Sequence, residues 1–139
     1  MFRDVRTRIE VLDRDRCLEL LAAGSVGRLA VISGHEPVIF PGNNALHDGR
    51  IVFRTAPGAK LQAVDWGTRA SFEIDELDPV AREGWSVVAV GRADEICSAR
   101  EVAVVAEATG LETWATGEHD HWVTVVPERL TGRRVRRSR

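Results

Sequence analysis

The chain has 139 residues, 44% apolar and 29% charged, with a net charge of −2. That length and balance fit one globular domain with its own core and exclude a disordered or collagen-like chain. No apolar run is long enough to cross a bilayer, and Met1 to Asp13 is charged rather than built as a signal-peptide core, so a cytoplasmic protein is expected.

In chain order, residues 13 to 23 read as a helix. Asp13 caps it, Cys17, Leu18, Leu20 and Leu21 supply its apolar face, and Gly24 stops it. Gly27 to Ser33 reads as a strand and Gly34-His35 as a turn. Pro37 to Phe40 starts a second strand that Pro41-Gly42 interrupts. Asp48-Gly49 is a hairpin signal joining Asn44–His47 to Arg50–Thr55. Pro57-Gly58 opens a short helix from Ala59 to Asp65, ended by Gly67. Arg69 to Ile74 is a strand with Phe72 and Ile74 on one face, followed by a solvated acidic loop over 75–83. Trp85 to Ile96 is the longest strand expected, with Gly91 allowing a bend. Ser98 and Glu101 form a capping box for a helix to Thr109, which Gly110 stops. Trp122 to Val126 is the last strand, before Pro127 and a basic tail. Six or seven strands with three short helices, not in strict alternation, disfavour a doubly wound sheet and fit a closed antiparallel barrel with peripheral helices.

The charge is uneven. Every acidic residue precedes Arg129, whereas six arginines (Arg129, Arg133, Arg134, Arg136, Arg137 and Arg139) fall in the last 11 residues. Such a tail can bind nucleic acid or phosphate, or simply fray in solvent. Nucleic-acid binding rests on this tail alone. Lys60 is the one lysine beside 18 arginines. Cys17 and Cys97 read as two buried free thiols. His119 and His121 would share a strand face, which permits metal ligation, but no third ligand has fitting spacing. Trp66, Trp85, Trp114 and Trp122 suit core packing, a subunit interface or a flat ligand.

The most informative stretch is Phe53-Arg54-Thr55-Ala56-Pro57-Gly58-Ala59-Lys60-Leu61. A strand end presents the Thr55 hydroxyl, Pro57 and Gly58 turn the backbone, and Lys60 falls in a first helical turn, where a bound anion would be favoured. The residues alone leave an anion site and an ordinary strand–helix junction both open.

This stretch resembles the F-R-T-A-P-G-x-K-L segment of the pyridoxamine 5'-phosphate oxidase-like family. Gly27-Arg28-Leu29-Ala30, Gly84-Trp85-Ser86-Val87, Gly91-Arg92-Ala93, His121-Trp122, Pro127 and Thr131-Gly132-Arg133-Arg134 follow its pattern in order, over residues 13 to 135. The resemblance is to short, actinobacterial-type members. It implies a mainly β fold with peripheral helices, an FMN-binding split barrel of six or seven antiparallel strands. The whole of 1–139 would form that one domain, with 132–139 as a basic, frayed tail. It further implies a homodimer with flavin sites at the subunit interface. Carried over by position, Thr55 and Lys60 would hold the FMN phosphate with Arg54 nearby. Main chain from Pro41 to Asn43 would face the ring, Trp85 and Ser86 would touch the cofactor or line the interface, and Trp122 and Arg133 would approach from the closing strand. The implied function is a flavin-dependent oxidoreductase acting on a small molecule. Alternatives on the same fold are a deazaflavin-dependent reductase and a non-catalytic flavin or haem carrier. Two departures stand out. Pro41-Gly42-Asn43-Asn44 replaces the family's P-V-N-Y, and Arg129-Leu130 runs into Thr131-Gly132 rather than the R-L-x-P-type segment of the true oxidase.

Overall fold

In the computed structural model, residues 7–55, 63–111 and 121–137 are described. The elements are β1 (Thr7–Leu12), α1 (Arg14–Ala22), β2 (Ser25–Ser33), β3 (Glu36–His47), β4 (Arg50–Thr55), β5 (Arg69–Asp78), β6 (Glu83–Glu95), α2 (Ala99–Thr109) and β7 (His121–Arg137). Every strand pairing is antiparallel, in the order β1-β7-β4-β3-β2-β5-β6, and β6 pairs again with β7. Six strands therefore close into a barrel, and β1 lies along the far end of β7. This is the split barrel, mainly β with peripheral helices.

Local chemistry accounts for the turns. Gly34 (φ 64°) turns β2 into β3, and Asp48 and Gly49 (φ 52° and 72°) turn β3 into β4, the paired left-handed residues a type I′ hairpin requires. Asp13 accepts a hydrogen bond from the Arg16 N–H to start α1, and Ser98 accepts one from the Glu101 N–H to start α2.

Leu29, Ile51, Phe53, Phe72, Ile74, Val87, Val123 and Val125 point inward and fill the barrel. Phe53 and Phe72 meet edge to face, their centroids 5.4 Å apart. A Cβ on Gly27 would lie 2.2 Å from the Phe72 ring, so glycine makes room for that aromatic. α1 closes one end, where Gly132 lets Cys17 and Leu12 approach β7. α2 covers the outside of β4 and β7 through Val52, Ile96, Val105 and Trp122.

Five expectations are corrected. β3 runs unbroken through Pro41. Counting by twos from the Ser33–Glu36 pair that closes the turn, Pro37 and Pro41 occupy positions whose missing N–H faces away from β2. Residues 75–78 and 83 are not loop: β5 and β6 stay paired from Arg69–Arg92 to Asp78–Glu83, past the barrel's rim, where both faces are wet and polar residues suit each. β7, at 17 residues, is the longest strand and continues through Pro127, which sits opposite Gly91 at a register shift. The tail is accordingly ordered strand from 132 to 137, paired with β1 and β6. Cys97, ahead of the α2 cap, is an exposed free thiol; only Cys17 is buried. The helix expected over 59–65 lies mostly outside the described residues, and its described end is a turn with a single Ser33–Val64 bridge.

Candidate functional site

Six of the expected site residues fall on the outer face of the barrel wall. Trp122 pairs with Arg54 across β7 and β4, and Arg54 with Asn43 across β4 and β3. These three point outward, as does Pro41 two residues along. Asp75 pairs with Ser86, and Ser86 with Arg133; these point outward too. Extending the Gly27–Ile74 register by one residue brings Val26 beside Asp75. The residues thus form one girdle around the outside: Trp122, Arg54, Asn43, Val26, Asp75, Ser86, Arg133. Thr55 and Trp85 belong to the inner set at the two rims, and Lys60, His119 and Trp114 lie outside the described residues.

The girdle depends on a bulge. Trp122 and Arg133 are 11 positions apart, which strict alternation would put on opposite faces. The shift at Val90/Gly91 adds one residue to β7, so inward positions change from 121, 123 and 125 to 130 and 132. A Cβ at Gly91 would lie 1.7 Å from the Val126 carbonyl oxygen. Glycine there permits the close backbone approach that turns Arg133 outward.

The two ends of the girdle differ chemically. At the first, the Arg54 guanidinium donates to the Leu111 carbonyl at 3.0 Å and stacks 5.1 Å above the Trp122 ring. Trp122, 6% exposed, is thereby fixed between arginine and α2. The Thr55 hydroxyl donates to the Pro41 carbonyl at 3.4 Å. A groove of about 430 Å³ opens beside Asn43, between the C-terminal ends of α1 and α2. At the second end a groove of about 320 Å³ runs between Ser86, Arg133, Val135 and Leu77. Between them, the outer face of β3, β2, β5 and β6 is bare: Ile39 is 66% and Ile32 50% exposed. Arg28 crosses that face to Glu73 (3.1 Å) and Asp75 (3.4 Å). Burial, then the neighbouring Asp75, push the Glu73 carboxyl above its usual range, while Arg28 opposes them.

The departure at 41–44 has a packing cause. A Cβ on Gly42 would lie 2.5 Å from the Arg54 carbonyl and 2.8 Å from the Phe53 ring, so Phe53 occupies the space a valine would need. Asn44, 2% exposed, turns its amide inward and donates to the Leu21 carbonyl at 3.4 Å. Both changes face the core, while Pro41 and Asn43 keep their outward places.

The arginine tail is interleaved with acids. Arg136 pairs with Glu10 at 3.8 Å, the Arg137 N–H donates to Glu83, and Glu76 and Asp78 line the same surface as Arg134. This mixed sign differs from the single-sign stripe that binds a phosphate backbone. Sequence reading missed two contacts, His121 Nδ1 to Glu95 at 2.6 Å and the Arg28–Glu73–Asp75 network. Their partners lie 26 to 47 residues apart, and no local spacing signals them. Among the described residues no group of three or more His, Cys, Asp or Glu could hold a metal ion, and no helix is long and apolar enough to cross a membrane.

A family model described as pyridoxamine 5'-phosphate oxidase matches residues 13–134. The chain belongs to this family. An uncharacterised protein of Mycobacterium tuberculosis is 36% identical over 129 residues, covering 89% of this chain and 84% of its own. A crystal structure from Corynebacterium glutamicum, under a provisional pyridoxamine 5'-phosphate oxidase description, superposes with a TM-score of 0.76 at 32% identity, covering 91% of this chain and 98% of that one. An FAD-binding protein of Mycobacterium smegmatis superposes with a TM-score of 0.74, at the same identity and coverage. The family's split barrel is thus matched over nearly its whole length.

Proposed function

We propose that the protein is a flavin-dependent oxidoreductase working as a homodimer, with FMN held between the outer walls of two copies and a small molecule as its substrate. One observation carries this reading: Asn43, Arg54, Ser86 and Arg133 face outward from a barrel whose interior is filled. A convex wall touches a ligand on one side only, whereas cofactor sites bury most of the ligand surface. A second copy supplies the missing side, and the bare β3-β2-β5-β6 face is the surface available for it. The flavin-binding relative at 32% identity supports the ligand class.

The residues present fit such a cofactor. Lys60 offers a donor to a phosphate, Thr55 would join it only by turning its hydroxyl from the Pro41 carbonyl, and Asn43 and its main chain offer polar contacts to a ring edge. The groove at Ser86 and Arg133 from the second copy offers an apolar wall ending in a cation. A bound flavin supplies the redox chemistry itself. This chain's part is to fix the phosphate, orient the ring against main chain whose inner side is locked by Gly42 and Phe53, and exclude water by dimer closure.

The test is fluorescence titration with FMN and, in parallel, a deazaflavin, with sedimentation of the same samples. A dimer binding one FMN per chain is expected. Binding of the deazaflavin alone would move the protein to the deazaflavin-dependent reductases, and flavin bound without turnover of any electron donor would make it a carrier. Failure to bind either, or equal binding by a monomer, overturns the reading.

A further inference from the structure

The β5–β6 hairpin runs past the barrel rim and ends in the turn Pro79-Val80-Ala81-Arg82. The turn is held in one shape, since Asp78 Oδ1 accepts from the Val80 and Ala81 N–H groups, each at 3.0 Å. Its apolar side chains are bare: Val80 is 90% exposed, and Leu77 behind it 67%. Arg82, exposed and left-handed in its backbone (φ 57°), makes no ion pair among the described residues. A single exposed apolar residue is ordinary. Here an apolar knob and a cation share one rigid, projecting tip.

The groove of about 430 Å³ beside Asn43 has the complementary character. Ala22, Ala23, Gly24, Ala45 and Gly110 line it, so the wall is recessed by its small side chains. The C-terminal ends of α1 and α2 both open onto it, and helix C-termini carry partial negative charge. Neither helix has a basic residue in its last turn, and α2 has exposed Glu107 there. Glu19, at the end of α1, is paired with Arg16, and Arg54 is engaged by the Leu111 carbonyl beyond α2.

Tip and groove stand at the same level of the barrel. Carrying the Gly27–Ile74 register three residues sets Gly24 level with Leu77, the groove on the β2–β3 side and the arm on the β5–β6 side. The tip does not line the groove of its own chain. Two outer walls packed face to face about a twofold axis parallel to the strands, over the β2–β5 seam, keep that level and exchange the sides. The tip of each copy then falls over the groove of the other, and Ser86 with Arg133 of one copy comes opposite Asn43 of the other.

We infer that the 79–82 turn of one copy docks in the Asn43-side groove of a second copy, Val80 entering among the small residues and Arg82 meeting the negative ends of α1 and α2. This rests on the homodimer proposed above and names the contact that holds it. The contact occurs twice in each dimer and walls the flavin site against water on its Asn43 side.

Cross-linking reads the contact directly. In a Cys97→Ser background, which removes the exposed thiol and leaves Cys17 buried, Val80→Cys protein is mixed with Ala23→Cys protein and treated with a short bismaleimide, with and without FMN. The mixture should give a covalent dimer on a denaturing gel. Each variant alone should not, because the axis holds like residues on opposite sides. Arg82→Glu sets a carboxylate against two negative helix ends; a loss of about 10-fold per contact, taken twice, should raise the dimer dissociation constant about 100-fold in sedimentation. The melting temperature of the diluted monomer should stay within a few degrees. A wild-type dimer whose mixed variants do not cross-link, a covalent dimer from Val80→Cys alone, or a dimer that Arg82→Glu leaves intact overturns the docking. Each leaves the homodimer and its flavin site standing, with the groove serving a ligand or another stretch of chain. A wild type that is monomeric with and without FMN overturns both readings.

Discussion

Along β2, Gly27, Leu29 and Val31 point into the barrel and are buried, while Arg28 and Ile32, on the other face of the same strand, lie open to solvent. The contrast continues across β3, β5 and β6. Inside, packing is close enough that a single methyl on Gly27 or Gly42 collides with an aromatic ring or a carbonyl. Outside, an arginine bridging two carboxylates sits beside isoleucines that stand half or more exposed. The inner wall makes the fold without any ligand. The outer wall is less constrained by packing, and that is where most of the expected site positions fall.

The largest effect should come from breaking the inner wall. Phe72→Ala removes a fully buried ring that packs on Phe53 and over Gly27, and should cost about 3–5 kcal/mol of stability. A melting curve checks this, and FMN binding should disappear with the fold. The outer wall should respond differently. Ile39→Glu, on the bare face, should leave the melting temperature of the isolated chain within a few degrees, convert the dimer to monomer in sedimentation, and weaken FMN by more than about 10-fold. If this variant unfolds the chain as Phe72→Ala does, inner and outer walls are not separable. Lys60→Ala removes the cation proposed for the flavin phosphate. It should weaken FMN by about 10- to 100-fold, the scale of one charge-assisted hydrogen bond, without changing the dimer.

The fold was legible in the sequence wherever a local rule settled it. Asp48-Gly49 announced its hairpin, Ser98 with Glu101 announced α2, and Phe72 with Ile74 announced an inner face. Prolines misled, because strand disruption depends on which way the missing N–H points. Pro41 and Pro127 both sit within strands, one facing away from its partner and one at a bulge. The paired extension of β5 and β6 misled for a related reason: beyond the rim neither face is buried, so periodicity vanishes while pairing continues. For Arg54, Ser86 and Trp122, the strand carrying each candidate residue was readable from the sequence. The side of the wall was not, because Arg133 faces outward only through the register shift at Val90/Gly91. Glu95 was invisible, since only barrel closure brings it to His121.

The smallest expected effect sharpens the comparison most. Glu73 is a carboxyl on the outer wall whose pKa is raised chiefly by burial and then by Asp75. A group that binds its proton more tightly when folded contributes stability that is fully present below its unfolded pKa, about 4.3 for glutamate, and is lost as pH rises through its raised folded value. Glu73→Gln keeps the shape and removes that titration. The melting temperature of the variant minus that of the wild type should therefore rise as pH increases from about 4 and then level off. The rise should be modest, because the side chain is 32% exposed and Arg28 lies 3.1 Å away. If a second copy covers this face, the carboxyl loses more solvent in the dimer, and the rise should be larger in concentrated dimer than after dilution to monomer. An equal rise at both concentrations would mean that the dimer forms elsewhere on the barrel. A falling difference would mean that Arg28, rather than burial, governs Glu73.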